Sequence, residues 1–248
     1  MVKLNIFTIA DKGYWKYIPT LALSALMYNE DCHCEIMVKG YDEWVSSNQR
    51  GMDVLQQRYP NLTIRPVNEF WYDRFKGTTS NWVRFVEEPK VKADYTYVCD
   101  VDFIFCKGIL EDHLPIFAEM GLCYSNIIRE GTDKLTGCYM VKTKEWYDNM
   151  RDVIKAFAVR PEYYYYPVTS DEELLYKLVE ASGMSLPDRK YKGAEYRPLK
   201  SVIHCSPNRS TSGWGIEDWK MPSMYSICSE LRKMGIKATH MEELWIAK

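Results

Sequence analysis

Two aspartates separated by one residue, Asp100 and Asp102, are the first candidates for chemistry in this sequence. They follow the apolar residues 95–99, which are typical of a buried strand. In an extended segment, side chains two residues apart point in the same direction, so both carboxylates would face one point. Paired carboxylates suit a divalent cation that also takes phosphate oxygens. The alternative is a solvated turn that follows a strand.

His204 is a candidate third ligand for the same cation. It lies in the apolar stretch 201–205, and neutral imidazole binds divalent transition metals readily. A histidine at the end of a strand is also often an ordinary core residue, and that alternative stays open. The run Cys32-His33-Cys34 has no second Cys/His pair at zinc-finger spacing, so we do not expect a zinc site there.

A group of acidic residues opens a helix predicted over residues 170–181. Ser170 can cap this helix, and the acids behind it suit the positive end of the helix dipole. Alternatively, Asp171 or Glu172 faces a cleft, where a carboxylate acts as a nucleophile or stabilises a cationic sugar transition state. Two basic residues, Arg84 in a predicted helix and Arg209 in a Gly/Ser loop, either clamp phosphate groups or lie in solvent.

The elements that must position these residues alternate between strands and helices. Up to residue 105 this alternation predicts an α/β fold with a mostly parallel sheet covered by helices. Ligands of such sheets bind at the carboxyl ends of the strands, where Asp11, Asp100 and Asp102 are expected. The predicted strands cover residues 3–9, 33–38, 62–66, 95–99, 103–105, 121–126, 137–141 and 201–205, and the predicted helices cover 17–28, 51–59, 80–85, 144–159, 170–181 and 223–234.

Length and composition exclude several classes of protein. The chain has 248 residues, of which 46% are hydrophobic and 27% charged, so it is not collagenous, of low complexity or disordered. The net charge of −2 argues against a nucleic-acid partner held by bulk electrostatics. We predict one domain over residues 1–248, in which the regular alternation of strands and helices ends at about residue 105.

Neither a secretory signal nor a membrane-spanning segment is expected. The apolar residues at the amino terminus soon meet Asp11 and Lys12, and no later apolar run has the length needed to cross a bilayer. We therefore expect a cytoplasmic protein whose eight cysteines are reduced thiols.

In their order, these motifs resemble those of nucleotide-sugar glycosyltransferases with the GT-A fold. They are most similar to family 8, the glycogenin and lipopolysaccharide galactosyltransferase group. The resemblance is a series of motifs over most of residues 3–214, and it implies a nucleotide-binding half up to about residue 105 and an acceptor-binding, catalytic half from residue 106. The segments that carry it are Ile6-Phe7-Thr8-Ile9-Ala10-Asp11-Lys12-Gly13-Tyr14, Arg84 followed by Asp100-Val101-Asp102, Thr136-Gly137-Cys138-Tyr139-Met140-Val141 with Trp146, Asp171-Glu172-Glu173-Leu174-Leu175, and Ile203-His204-Cys205.

The resemblance implies a metal-dependent enzyme that transfers a hexose from UDP-glucose or UDP-galactose to a glycan or another hydroxyl acceptor, with retention of configuration. It implies Mn²⁺ or Mg²⁺ held by Asp100, Asp102 and His204. It also implies that Asp171 and Glu172 are the catalytic groups facing the sugar. The residues implied to contact the nucleotide sugar, with Asp11 and Tyr14 at the uracil, are Thr8, Ala10, Asp11, Tyr14, Arg84, Asp100, Val101, Asp102, Asn126, Thr136, Gly137 and Arg209.

The sequence departs from the family pattern in three places. Leu135 stands where the family has a sugar-contacting asparagine, and Glu172 stands where it often has glutamine. The family's Lys-Pro-Trp run after the histidine is absent, and Arg209 and Trp214 are the candidates to replace it.

Two other functions stay open. One is a nucleotidyltransferase or other nucleotide-sugar enzyme, which the lack of a Gly-rich phosphate loop disfavours. The other is a non-catalytic carbohydrate-binding protein built on aromatic side chains.

Overall fold

A six-stranded sheet built from apolar, β-branched stretches runs through the centre of the molecule. The computed structural model describes residues 2–71, 80–160, 170–188, 190–191, 201–205 and 222–237. The strands are β1 (Val2–Ala10), β2 (Cys32–Val38), β3 (Leu62–Pro66), β4 (Ala93–Val98), β5 (Phe103–Phe105), β6 (Tyr124–Ser125), β7 (Ile128–Arg129), β8 (Tyr139–Lys142), β9 (Lys190–Tyr191) and β10 (Val202–His204).

Helices connect the strands and cover them. They are α1 (Ile18–Tyr28), α2 (Tyr41–Arg58), α3 (Val83–Val86), α4 (Leu110–Met120), α5 (Thr143–Val159), α6 (Asp171–Ala181) and α7 (Pro222–Lys233), with short 3₁₀ helices at Trp15–Tyr17 and Ser80–Trp82. Among the residues that the structure describes, no helix is both long and apolar enough to cross a membrane.

The sheet has the strand order β3-β2-β1-β4-β8-β6. β1 lies parallel to both β2 and β4, and β2 lies parallel to β3, while β8 runs antiparallel to its neighbours β4 and β6. The sheet is therefore mostly parallel, and the predicted α/β fold class is confirmed. Parallel neighbours bring the carboxyl ends of β1 and β4 to the same edge, which is the edge where this kind of sheet binds ligands.

Each face of the sheet has its own hydrophobic core, because side chains along β1 alternate between the two faces. Leu4 and Ile6 pack in one core with Leu21 of α1 and residues of α7. Phe7 and Ile9 pack in the other core with Trp146 of α5 and residues of α6. The sheet is buried on both sides, as parallel sheets generally are.

Two small sheets complete the site edge. β5 pairs antiparallel with β10, with His204 opposite Phe103, and β7 pairs parallel with β9. The first pairing brings the late part of the chain back beside the turn that follows β4.

A buried ion-pair network fixes the segment after α3. Glu35 on β2 is fully buried and accepts hydrogen bonds from Arg65 Nε at 2.7 Å and from the backbone N–H groups of Lys90 and Val91 at 3.0 Å each. Arg65 also pairs with Glu87, the residue that follows α3. This network ties the chain after α3 to the sheet, and α3 carries Arg84.

Several predicted boundaries differ from the observed ones. The helix predicted over 51–59 begins at Tyr41 instead, after Gly40 in a left-handed conformation with φ of 73°. Its first turns are largely exposed and polar, so they lack the apolar period that signals a helix. Helix α4 was not predicted at all, because Pro115 lies inside it and proline usually ends a helix.

The strand predicted over 121–126 is reduced to β6, Tyr124–Ser125, and the one predicted over 137–141 is shifted to β8, Tyr139–Lys142, so both stop short of the residues that face each other between them. The reason lies in Asn126, whose side chain bonds the backbone of Thr136 and so takes the place of a continued strand pairing.

Candidate functional site

Asp100, Asp102 and His204 form a compact group at the carboxyl edge of the sheet. One ligand atom from each lies within 4.8 Å of the others. His204 Nε2 is 3.2 Å from Asp102 Oδ1 and 3.9 Å from Asp100 Oδ2. The backbone N–H of Cys205 donates to Asp102 O at 2.7 Å, which holds the end of β10 against the turn after β4. Two carboxylates and one imidazole are a donor set that suits a divalent cation.

Arg84 links this group to the start of α6. Its side chain is 2% exposed, and its Nη2 lies 2.8 Å from Asp100 Oδ1 and 3.3 Å from Asp171 Oδ2. The same nitrogen donates to Gly137 O at 3.4 Å. Burial alone would lower the pKa of Arg84, but the carboxylates of Asp100 and Asp171 outweigh it and raise the pKa above its ordinary value. Arg84 is therefore a permanent positive charge inside the site.

The first turn of α6 presents two carboxylates. Ser170 caps the helix, its Oγ accepting from Glu173 N at 3.3 Å, as predicted. Asp171 Oδ1 accepts from Glu172 N at 3.0 Å, while its Oδ2 faces Arg84. The side chains of Asp171 and Glu172 are 25% and 16% exposed, so both are accessible from a cleft rather than from open solvent.

A two-part cavity, here called the polar cleft, joins these groups. The smaller part holds about 90 Å³ and is lined by Ile9, Asp11, Tyr14, Asn81, Arg84, Asp100, Val101, Asp102 and His204. The larger part holds about 250 Å³ and is lined by Asn81, Arg84, Asp100, Arg129, Thr136, Gly137, Cys138, Asp171 and Glu172. Both parts are lined by Asn81, Arg84 and Asp100, so the metal-type group and the α6 carboxylates lie in adjoining cavities with a shared wall.

Asp11 and Tyr14 lie at the far end of the smaller part, directly after β1. Asp11 Oδ1 accepts from Gly13 N at 3.1 Å, and Tyr14 N donates to Asp11 O at 2.8 Å. This turn leaves the Tyr14 ring 37% exposed at the cleft. The exposed ring can stack on a nucleotide base. The neighbouring carboxylate can accept a hydrogen bond from an N–H group of that base.

Three of the predicted contact residues, of which Thr8 and Ala10 are expected to contact the nucleotide through their backbone, are not among the residues that line the cleft. Thr8 is fully buried and its Oγ1 donates to Cys99 O at 2.8 Å. The carbonyl of Ala10 accepts from Lys39 N at 2.9 Å. Asn126 uses its amide on Thr136, which does line the cleft. Arg209 and Trp214 lie outside the described residues.

Four lining residues were not predicted from the sequence: Ile9, Asn81, Arg129 and Cys138. Ile9 and Cys138 adjoin predicted site residues, so proximity in sequence was an available signal. Cys138 Sγ lies 3.5 Å from Asp100 Oδ2. Arg129 had no such signal, because its place depends on the pairing of β7 with β9, which the sequence does not reveal.

The eight cysteines are all buried free thiols. Burial raises the pKa of Cys32 to about 12, and it raises the pKa of Cys34 well above its ordinary value. Both lie on β2 in the hydrophobic core, where they act as small apolar side chains.

Comparison with known proteins places this fold among glycosyltransferases. No family model and no curated protein sequence matches the chain. The apo form of the glycosyltransferase GlyE of Streptococcus pneumoniae TIGR4 matches with a TM-score of 0.53 and 13% identity over 95% of this chain. This chain covers 64% of the GlyE chain, so it spans less than two thirds of that protein.

The galactosyltransferase LgtC also matches. Its complex with donor and acceptor sugar analogs gives a TM-score of 0.58 and 14% identity, covering 93% of this chain and 99% of that one. An LgtC variant with an active-site glutamine changed to glutamate gives a TM-score of 0.55 and 16% identity, covering 92% and 95%. At such identities the likeness shows a shared fold, and the predicted glycosyltransferase-type α/β fold is confirmed.

Proposed function

We propose that this chain is a metal-dependent hexosyltransferase that uses a nucleotide sugar, UDP-glucose or UDP-galactose, and a hydroxyl acceptor such as a glycan. The observation that carries the proposal is the shared wall of the polar cleft, where Arg84 and Asp100 line both of its parts. Asp11 and Tyr14 lie in the smaller part with the metal-type group, Arg84 lines both parts, and the two α6 carboxylates lie in the larger part. A nucleotide, a diphosphate and a sugar follow one another in the same order in the proposed donor.

The fold likeness supports the same function. GlyE is described as a glycosyltransferase, and LgtC was crystallised with donor and acceptor sugar analogs. Fold alone does not fix an activity, so the residues of the cleft carry the proposed function.

The nucleotide would be held at the carboxyl end of β1. Asp11 can accept a hydrogen bond from the N–H of uracil, and the exposed ring of Tyr14 can stack on the base. The backbone around both is fixed by the bond from Tyr14 N to Asp11 O.

A divalent cation would be held by Asp100, Asp102 and His204, whose donor atoms already lie close together. When bound, Mn²⁺ or Mg²⁺ neutralises the negative charge that develops on a departing diphosphate. Arg84 would donate charge-assisted hydrogen bonds to the phosphate oxygens from the adjoining wall of the cleft. Its two carboxylate contacts keep the guanidinium in place before the donor arrives.

Asp171 and Glu172 would face the sugar in the larger part of the cleft. A carboxylate beside the anomeric carbon can stabilise the positive charge of an oxocarbenium-like transition state, or attack it as a nucleophile. The second option gives two inversions and hence retention. Glu172 suits this role better than the glutamine common in the resembling family, because an amide is a poor nucleophile.

The first experiment is a titration of the protein with UDP-, GDP-, ADP-, CMP- and dTDP-sugars, with Mn²⁺ and with EDTA, followed by thermal melting and calorimetry. At about 100 times its dissociation constant a ligand stabilises the fold by about 2.7 kcal/mol. We expect stabilisation by a UDP-hexose that requires Mn²⁺. Asp102→Asn should abolish the Mn²⁺-dependent stabilisation by UDP-hexose and the transfer of hexose. The unliganded variant should still melt cooperatively.

Asp148→Asn is the matched control, because Asp148 lies exposed on α5 and pairs with Lys144 there. It should respond to UDP-hexose and Mn²⁺ as the wild type does. If the wild-type protein binds none of these nucleotide sugars, the proposal is contradicted and a carbohydrate-binding protein is favoured. Release of pyrophosphate in place of UDP would indicate a nucleotidyltransferase.

A further inference from the structure

A second arginine, Arg129 on β7, reaches the larger part of the polar cleft and meets Glu172 there. Arg129 Nη2 lies 2.7 Å from Glu172 Oε2, and the two side chains are 40% and 16% exposed. Both residues line the cleft. A half-exposed ion pair contributes little to stability on average. The place of Arg129 beside the candidate catalytic carboxylate of Glu172 therefore points to a role other than stability.

The backbone that carries Arg129 is held firmly. Arg129 N donates to Lys134 O at 2.9 Å, and Thr132 donates to Arg129 O from its backbone N at 3.1 Å and from its Oγ1 at 2.8 Å. Ile128 also bridges to Leu135 across the same turn. Arg129 therefore approaches Glu172 from a fixed main chain, unlike an arginine on a freely moving surface segment.

The same turn also holds Glu172 by its main chain. Leu135 N donates to Glu172 O at 3.2 Å. Glu172 is thus attached to residues 129–135 at two points, through its carbonyl and through its carboxylate. Two attachments fix the position and the direction of the carboxylate together.

The charged residues of the larger part of the cleft divide into two sets. Arg84 lies between Asp100 and Asp171, at 2.8 Å and 3.3 Å. Arg129 lies against Glu172. Without Arg129, Glu172 would be a third carboxylate near the two that Arg84 already serves, and like-charge repulsion would favour a rotamer that turns it away.

We propose that Arg129 is a positioning residue that holds the carboxylate of Glu172 toward the sugar of the donor. It sets the turnover of the site and leaves nucleotide binding to the smaller part of the cleft. The proposal rests on the proposed hexosyl transfer, because the sugar is the group that Glu172 would face.

A double-mutant cycle tests this role with Arg129→Met, Glu172→Gln and the combined variant. The readouts are hydrolysis of UDP-glucose and UDP-galactose with Mn²⁺, and calorimetric affinity for UDP. We expect Arg129→Met to lower kcat about tenfold or more, with KM changed less than about threefold and UDP affinity unchanged. In the Glu172→Gln background the same substitution should add little, because Arg129 acts through Glu172.

Two further measurements separate positioning from a general loss of structure. Arg129→Lys should recover part of kcat, because lysine keeps the charge without the planar fork of arginine. The dissociation constant of the intact UDP-hexose, measured by calorimetry, gives a second double-mutant cycle that does not depend on turnover. It uses the wild type, Arg129→Met, Glu172→Gln and the combined variant. Arg151→Met is the matched control, because Arg151 pairs with Asp148 on the exposed side of α5, and it should have wild-type kcat.

The outcomes distinguish this role from the proposed function. Wild-type kcat in Arg129→Met, or independent effects of the two substitutions, would overturn the role of Arg129 and leave hexosyl transfer standing. A wild-type protein that neither binds nor hydrolyses a UDP-hexose would overturn the proposed function and this inference with it.

Discussion

At the scale of single residues, the site depends on how closely Arg84 is packed. Gly137 packs against its Nη2, and the carbonyl of Gly137 accepts one hydrogen bond from this nitrogen. A Cβ built on Gly137 would lie 2.8 Å from this nitrogen, which is closer than real Cβ contacts allow. An added methyl would have to displace the end of the Arg84 side chain, which its pairs with Asp100 and Asp171 hold in place.

We predict that Gly137→Ala lowers kcat/KM for a UDP-hexose by between about tenfold and about 100-fold. The added methyl must displace the Arg84 guanidinium, and a displacement near 1 Å at a reacting group has an effect of that size. The measurement is steady-state hydrolysis or transfer with Mn²⁺, with thermal melting of each variant in parallel.

Gly108→Ala serves as the matched control. Its built Cβ meets only Tyr28 O at 3.5 Å, an ordinary contact, so kcat/KM should not change. Wild-type kcat/KM in Gly137→Ala would show that Arg84 can shift without effect, and would remove it from the proposed donor site.

Much of the candidate site was predictable at this scale. Asp100, Asp102, His204, Asp171 and Glu172 follow strands or begin a helix, and residue type and spacing suffice to find them. The roles of Thr8, Ala10 and Asn126 were less predictable, because a buried side chain and a cleft-lining one look alike in a sequence. The place of Arg129 in the site could not be predicted from the sequence, since only the tertiary fold brings it to Glu172.

At the scale of elements, α6 is the helix whose start matters most to the site. Its N-cap and its first two residues are Ser170, Asp171 and Glu172, so the cap and the candidate catalytic groups share one turn. Loss of the cap frays the turn that carries both carboxylates.

We expect Ser170→Ala to lower the free energy of unfolding by about 1 kcal/mol, the usual effect of removing an N-cap oxygen. For a chain of this size that corresponds to a fall in Tm of about 2–4 °C. Ser170→Thr keeps an acceptor oxygen and should recover most of the loss. Denaturant titration and thermal melting measure both changes.

Ser47→Ala provides the comparison, because Ser47 Oγ donates within α2 to Glu43 O at an exposed position. Its effect should stay within about 0.5 kcal/mol. Equal stabilities for Ser170→Ala and the wild type would mean that the start of α6 is held by its ion pairs and packing rather than by its cap.

The elements that were predicted well are those whose pattern is purely local. β1, β2 and β3 are short stretches rich in apolar residues, and α5 and α6 have an apolar face with the period of a helix. Helix α4 was not predicted, because Pro115 lies inside it and a proline in a sequence favours the end of a helix. His113 and Phe117 of this helix are buried in the fold. β7 and β9 have two residues each, too few to carry any period.

At the scale of the whole molecule, stability depends on pH through a buried histidine. His113 is completely buried on α4 and pairs with the hydroxyl of Ser125. Burial lowers its pKa from 6.5 to about 3. Between these two values the unfolded chain binds a proton that the folded protein does not, so stability is full above pH 6.5 and falls as the pH decreases.

We predict that the wild type loses about 1 kcal/mol more stability per pH unit between pH 6 and pH 4 than His113→Asn does. The asparagine has no proton to gain, so this part of the acid sensitivity disappears. Urea titrations at a series of pH values give the two slopes, and their difference cancels the contribution of the carboxylates. Parallel slopes would show that His113 titrates in the folded protein as it does in the unfolded chain.

The pairing of β10 with β5 sets an order in time for the assembly of the site. During synthesis, β1 to β4 and the turn with Asp100 and Asp102 leave the ribosome long before His204 is made. The paired carboxylates therefore exist first as an incomplete chelate, and they gain the imidazole only when β10 docks with His204 opposite Phe103. Under the proposed function, tight uptake of a divalent cation would then mark a chain in which β10 has docked against β5.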